Sequence, residues 1–158
     1  MTFTISHMPA DEKAQWEPLY RAYATFYKMP MEQSTLDTVW SWIQDDNNPF
    51  FGFIAKNEAG EAVGMAHCRE MPSPLRGAHI GFLDDLFVSP DCRGNGCVQK
   101  IYQALNQLGS ERGWPCIRWI TADNNYRARS SYDKVAEKTI WNTYQMQVED
   151  WQFLVYDS

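Results

Sequence analysis

Phe82-Leu83-Asp84-Asp85-Leu86-Phe87-Val88-Ser89-Pro90-Asp91-Cys92-Arg93-Gly94-Asn95-Gly96-Cys97-Val98-Gln99-Lys100 joins an apolar strand to a helix through a Ser-Pro-Asp turn and a basic, glycine-bearing loop. Such a junction aims several backbone N–H groups and a helix N-terminus at one point, which suits a phosphate or pyrophosphate. Gly94 and Gly96 admit positive φ and let the backbone approach an anion closely. Arg93 adds a permanent positive charge and a planar set of donors. A ligand carrying a pyrophosphate is therefore expected at residues 93–99. The loop is not a nucleotide P-loop, because GxxxxGK[ST] does not occur. It is only a partial GxGxxG, with Gln99 in place of the third glycine, and it follows about the fourth strand rather than the first.

On either side of this junction the pattern continues. His79 to Val88 reads as the strand entering the loop, and Asn95 to Arg112 as the helix leaving it, closed by Gly113. Upstream, Phe3 and Ile5 alternate with polar neighbours and predict a short first strand. Trp16, Leu19, Tyr20, Tyr23, Phe26 and Tyr27 recur at helical spacing and predict a helix over 11–27, ended by Pro30. Ser34 with Asp37 predicts a capped second helix, whose apolar face is Leu36, Val39, Trp40 and Ile43. Phe51, Phe53 and Ala55, a turn at 57–60 and the run from Ala62 to His67 predict a hairpin, broken off by Met71-Pro72-Ser73-Pro74. Downstream, Cys116 to Thr121 reads as a strand, and Asp123-Asn124-Asn125 as a turn that caps a helix over 126–137. Thr143 to Val148 and Trp151 to Tyr156 read as two last strands. The expectation is one α/β domain over residues 1–158, a mixed sheet with helices on both sides.

Composition narrows the function. A net charge of −6 argues against a general nucleic-acid binder, which needs a basic surface, and suits a cationic partner such as an amine. No apolar run approaches the roughly 20 residues of a membrane-spanning helix, and the N-terminus does not read as a signal peptide. Cys68, Cys92, Cys97 and Cys116 include no CxxC spacing, so neither a metal site nor a redox pair is expected. Reduced thiols and a cytoplasmic location are the expectation.

Arg93-Gly94-Asn95-Gly96 after Leu-Phe-Val-Ser-Pro-Asp, followed some thirty residues on by Asn125-x-x-Ala128-x-x-x-Tyr132, resembles the GNAT superfamily of acyl-CoA-dependent N-acetyltransferases. The Leu83–Val88 strand and the Arg127–Val135 segment resemble most the spermidine/spermine and histone-type small-amine enzymes. The resemblance implies a mixed, mostly antiparallel central sheet and acetyl-CoA as cosubstrate. It implies that Leu86, Phe87 and Val88 present backbone groups to the thioester and pantetheine arm, and that Arg93, Gly94, Asn95, Gly96, Cys97, Val98 and Gln99 hold the pyrophosphate. Asn125 to Ala128 would contact the cofactor near the pantetheine, and Tyr132 would protonate the departing thiolate. Two departures stand out. Val98 replaces the family's usual Gly or Ala, either crowding the cofactor or shifting the helix start. Thr139-Ile140-Trp141 replaces the usual Gly-Phe after the second motif. Homodimers are common in the family, and the apolar stretch 151–156 would serve one.

The chemistry sets its own demands. An alkylamine with a pKa of about 10.4 is almost wholly charged at neutral pH and must lose a proton before it attacks. Asp84, at the position of the family's acidic residue, is the expected proton acceptor. Asp85 would bind a cationic group. Strand alternation would send adjacent carboxylates to opposite faces unless a bulge intervenes. His67 and His79 are alternative bases. Tyr23, Phe26 and Tyr27 either pack the core or wall an amine site, with Tyr27 the candidate substrate contact. Cys97, at a helix N-terminus, is expected to have a depressed thiol pKa. The acceptor would be polyamine-like, an amino acid or lysine-like. A non-catalytic acyl-CoA sensor and a peptide N-acetyltransferase are the alternatives.

Overall fold

Phe53 and Ala55 are buried against one set of helical residues and Ile54, between them, against another. This is the period-two alternation of a strand covered on both faces. The structure, a computed structural model, describes residues 1–148. The chain forms β1 (Thr4–His7), α1 (Lys13–Phe26), α2 (Gln33–Gln44), β2 (Phe50–Lys56), β3 (Ala62–Ser73), β4 (Ala78–Val88), α3 (Cys97–Arg112), β5 (Ile117–Arg118) and α4 (Tyr126–Tyr132). Single 3₁₀ turns lie at Pro74–Arg76 and Pro90–Cys92. Residues 1–120 make one compact unit and the chain from Thr121 a second.

Within the first unit the sheet runs β1-β2-β3-β4-β5. The first three pairings are antiparallel and the last, at Gly81 and Phe82, is parallel. Trp16 and Leu19 of α1 and Leu36 and Val39 of α2 pack on one face with Ile54, Met65 and Phe87. Cys97, Ile101, Leu105 and Leu108 of α3 pack on the other with Phe53, Ala66, Cys68 and Leu83. The expected mixed, mostly antiparallel α/β sheet with helices on both sides is what the chain builds. A Cβ on Gly81 would lie 2.5 Å from the Trp114 ring, so only glycine lets that ring close the sheet beside β5.

Local expectations met with several corrections. Ser34 does not cap α2: Glu32 is the N-cap, and the Asp37 carboxylate pairs with Lys13 at 2.7 Å instead of completing a capping box. Pro72 does not end β3, which runs on to Ser73. The Glu70 N–H bonds to the carbonyl of Pro49, so two residues later the missing proline N–H faces the side where β2 has already ended. In the second unit α4 stops at Tyr132, not 137, because residues 133–137 are exposed and bury no face to sustain a helix. Thr143 to Val148 has the alternation of a strand but no partner strand among the described residues, and Tyr144 and Val148 are exposed. The strand read at 151–156 lies outside the described residues.

Candidate active site

The carboxylates of Asp84 and Asp85 both line one cleft, which alternation alone forbids. The register explains it. His67 pairs with Asp85 and Cys68 with Leu83, so Asp84 is the extra residue of a β-bulge. Leu83 is buried on the α3 face and Phe87 on the α1/α2 face, a change of parity that requires such an insertion. The bulge therefore turns two consecutive acids to the α1/α2 side. The cleft has a volume of about 630 Å³, and Tyr20, Val39, Trp42, Phe50 and Arg69 complete most of its wall.

Asp85 is anchored from two elements. The hydroxyl of Tyr20 donates to its Oδ2 at 3.0 Å, and His67 Nδ1 lies 2.7 Å from the same oxygen. Tyr23 interacts with the same carboxylate. His67 is completely buried, and its Nε2 lies 2.9 Å from Trp16 Nε1. Indole N–H only donates, so Nε2 must be the accepting nitrogen and Nδ1 carries the proton given to Asp85. That assignment engages both ring nitrogens and removes His67 as a candidate base. Burial pushes the Asp85 carboxyl up, but hydrogen bonds from His67, Tyr23 and Tyr20 outweigh it and hold it below the ordinary value. Asp84 goes the other way. Burial and the neighbouring charge of Asp85 raise it against the pull of Arg69, whose Nε lies 3.2 Å from Asp84 Oδ2. Burial and Asp85 together also push the phenols of Tyr20 and Tyr23 upward, so both stay protonated donors.

Beyond the bulge the edge of β4 away from β3 pairs with no strand among the described residues. The Ser89 N–H bonds to the Val63 carbonyl at 2.8 Å. Alternation then directs Phe87 and Asp85 toward β3, and Leu86 and Val88 toward the side where β5 stops pairing at Phe82. Gly94 (φ +79°) and Gly96 (φ +89°) follow, with open space where a Cβ would stand. Gly96 begins α3, whose first internal bond runs from Lys100 N–H to the Gly96 carbonyl at 3.2 Å. The amides of Cys97, Val98 and Gln99 precede that bond, and no side chain caps this helix. A strand edge with no partner strand among the described residues, a glycine cradle and a helix start without a side-chain cap fit a thioester arm that ends in a pyrophosphate.

Several side chains sit otherwise than expected. The Cys97 thiol is buried in the α3 core, and burial pushes it up to about 11, opposite to the helix-terminus expectation. Only its backbone faces the loop. Val98 packs against the same core, which turns its branched side chain away from the glycines' open space. Arg93 donates from Nε to the Val88 carbonyl at 3.0 Å, with its guanidinium beside the Phe26 and Phe87 rings. Tyr27 stacks beside Tyr23 and Phe26 and does not line the cleft, whereas Tyr20 does. His79 is exposed opposite Pro72, away from the acids. Tyr20, Arg69, Trp42 and Phe50 were not singled out by sequence. The one available signal was that Arg69 lies two residues from His67, hence on the same strand face. In the second unit Asn125 caps α4, accepting from the Ala128 N–H at 3.4 Å, and Tyr132 is its last residue.

The family model described as "Acetyltransferase (GNAT) family" matches residues 16–136. The chain belongs to this acetyltransferase family. It is 30% identical over 132 residues to a D-amino-acid N-acetyltransferase of Saccharomyces cerevisiae, covering 83% of this chain and 81% of the relative. It is 26% identical over 132 residues to an uncharacterized N-acetyltransferase of Bacillus subtilis, covering 82% and 86%. Among solved structures, a ribosomal-protein-alanine N-acetyltransferase of Brucella melitensis shares the fold with a TM-score of 0.78 at 22% identity, over 92% of this chain and 99% of that one. The acetyltransferase thus works on a nitrogen with acetyl-CoA, as the family does, while its relatives differ in their acceptors. None of its described helices is long and apolar enough to cross a membrane.

Proposed function

We propose that this acetyltransferase moves an acetyl group directly from acetyl-CoA to a primary amine held over the bulge of β4. The observation that carries the reading is the bulge itself, which gives adjacent carboxylates one outlook and opposite titration. Asp84, raised by burial, is the better proton acceptor and takes the proton from the ammonium, directly or through water. Asp85, held anionic by its donors, keeps the cationic end in place. The neutral nitrogen bonds to the acetyl carbon and the C–S bond breaks, and the second proton the nitrogen sheds on becoming an amide replaces the one that Tyr132 gives to the sulfur. The N–H of Leu86, on the edge of β4 away from β3, steadies the oxygen that becomes negative, a contribution of about 3 kcal/mol for one such donor.

The backbone of Gly94 to Gln99 and the charge of Arg93 receive the pyrophosphate, with Leu86 to Val88 along the pantetheine. Asn125 and Ala128 contact the cofactor, and Tyr132 returns a proton to the thiolate. These roles are supported by the motif spacing, and the family match crosses from the first unit into the second as far as residue 136, which supports reading both as parts of one catalytic domain. An amino acid stands beside polyamine and lysine-like amines as acceptor. The yeast relative's D-amino-acid activity supports the first, and nothing observed favours the polyamine likeness.

The test is incubation with acetyl-CoA and a panel of amines, following thiol release and the mass of each product. Acetylated amine with matching thiol is the expected result. Thiol release with no acetylated nitrogen would refute it. Tyr132→Phe should lower kcat at least tenfold with acetyl-CoA affinity within threefold of wild type, and an unchanged kcat removes Tyr132 as the acid.

A further inference from the structure

Resting on that reading, we infer that the acceptor is a free α-amino acid with a bulky apolar side chain, and that Arg69 selects it by binding its carboxylate. Glu70 belongs to the rim of the cleft, yet its carboxylate lies on the other side of β3, bonded to Arg112 at 2.6 and 3.0 Å and to the Trp114 N–H at 2.6 Å. Even-numbered residues of β3 here face α3, as Ala66 and Cys68 do. Arg69 shares the opposite face with His67. The cleft therefore presents Asp84, Asp85 and Arg69: two negative charges beside one positive.

A polyamine carries only positive charge and would meet Arg69 as a repulsion. A zwitterion carries an ammonium and a carboxylate one carbon apart. Its two charges match the Asp84–Arg69 pair, whose facing atoms lie 3.2 Å apart. Binding would exchange one protein ion pair for two, ammonium on the aspartates and carboxylate on the guanidinium. Arg69 is built for the exchange. Its side chain is about half exposed (49%), its guanidinium lies over the Phe82 ring at 4.6 Å, and Asp84 engages it through Nε. A guanidinium has five N–H donors in a planar fork, so most of the fork is available to a carboxylate.

The rest of the wall addresses the side chain. Trp42 is 45% exposed on the cleft, its ring 6.0 Å from Phe50 in an edge-to-face arrangement, with Val39 beside them. The open face of Trp42 is apolar surface that a bulky apolar side chain would remove from water. An aromatic or large aliphatic amino acid reaches that wall from an anchored α-carbon, whereas glycine does not.

The experiment compares phenylalanine (both enantiomers), phenylalaninamide, phenethylamine, glycine and spermidine as ligands by titration calorimetry and as acceptors by product mass. Phenylalanine should bind at least tenfold more tightly than phenethylamine or the amide, and than glycine or spermidine. Arg69→Gln should bring phenylalanine and phenethylamine to within about threefold of each other, and Arg69→Lys should restore part of the gap. In turnover the same ratios should appear in KM rather than kcat. Equal binding of the acid and the amine by wild type, or a preference for spermidine, overturns the inference even if every amine is acetylated. Selective binding of phenylalanine without any acetyl transfer would instead uphold carboxylate recognition by Arg69 and overturn the proposed reaction. Circular dichroism of both variants confirms that they fold.

Discussion

The two faces of the central sheet are covered by different means. Under α3 the centre of the contact is apolar, with Ile101, Leu105 and Leu108 on Cys68 and Leu83, and polar pairing is confined to its end, where Arg112 and Trp114 hold Glu70. Under α1 and α2 the apolar contact is interrupted by a chain of polar groups, Trp16 to His67 to Asp85 to Tyr20, at distances of 2.7 to 3.0 Å. Satisfied buried polar networks of this kind fix one arrangement of side chains, and a half-satisfied one is worse than an apolar core. The α3 face supplies stability that tolerates substitution by volume. The α1/α2 face holds a carboxylate in place, which stability alone does not require.

Asp84→Asn breaks the contrast most sharply. It removes the proposed proton acceptor and should lower kcat/KM by about 10²–10³, within the usual range for a general base. Its effect on stability runs the other way. A carboxyl whose folded pKa is raised costs stability above that pKa, and the cost disappears as pH falls below the unfolded value of about 3.9. The variant should therefore melt at a slightly higher temperature than wild type at pH 7, with the difference vanishing near pH 3. Asp85→Asn should lose stability at pH 7, because its depressed carboxyl contributes stability above about pH 3.9 that is lost as pH falls through its folded value. Equal melting shifts of one sign would show that the adjacent acids are not differentiated.

Leu105→Ala comes next and tests the apolar face. Leu105 is buried in the α3 core, and truncation should cost about 3 kcal/mol. The kcat/KM of the molecules that remain folded should stay within about threefold of wild type. A large catalytic loss at full folding would mean that the α3 face shares in the chemistry.

His67→Asn is expected to be smaller in stability and broader in consequence. Asparagine keeps an N–H toward Asp85 but cannot reach Trp16, which leaves the indole N–H buried and unpaired at a cost of about 2 kcal/mol. His67→Leu removes both bonds. It should raise the Asp85 carboxyl, so acid unfolding begins at a higher pH than in wild type. Identical acid-unfolding profiles for wild type and His67→Leu would show that His67 does not hold Asp85 anionic.

The sequence made some of this legible and hid the rest for a definable reason. Strand alternation, helical spacing and the glycine loop are local, so β1 to β4, α1, α3 and the Asn125 cap are legible directly, whereas the strand expected over Cys116–Thr121 pairs only at Ile117–Arg118. The bulge at Asp84 is not legible, because it is a property of pairing between β3 and β4; only the adjacent acids hinted that one was needed. Arg69 and Trp42 line one cleft from two elements, and nothing near either residue announces the other. Cys97 was misread because its position at a helix start says where its backbone points, while burial in the core decides its thiol. The alternation of Tyr144, Met146 and Val148 shows the converse: a strand pattern without a neighbour to pair with does not make a strand.

The smallest effect belongs to the clasp at the end of α3. Arg112 and Trp114 hold the Glu70 carboxylate, the Arg112 hydrogen bond being the largest influence, and depress it to about 2. Its contribution is present above the unfolded value of about 4.3 and is lost as pH falls through about 2. Arg112 is partly exposed, so solvent screens the pair, and Glu70→Gln should cost about 0.5–1 kcal/mol at pH 7 because the amide oxygen still accepts from Trp114. The loss should shrink with added salt, as it must for a screened pair. Since Glu70 faces away from the cleft acids, the variant's preference for phenylalanine over phenethylamine should stay as in wild type. A changed preference would put the Glu70 charge inside the cleft, and the balance of two negative charges against Arg69 would no longer describe it.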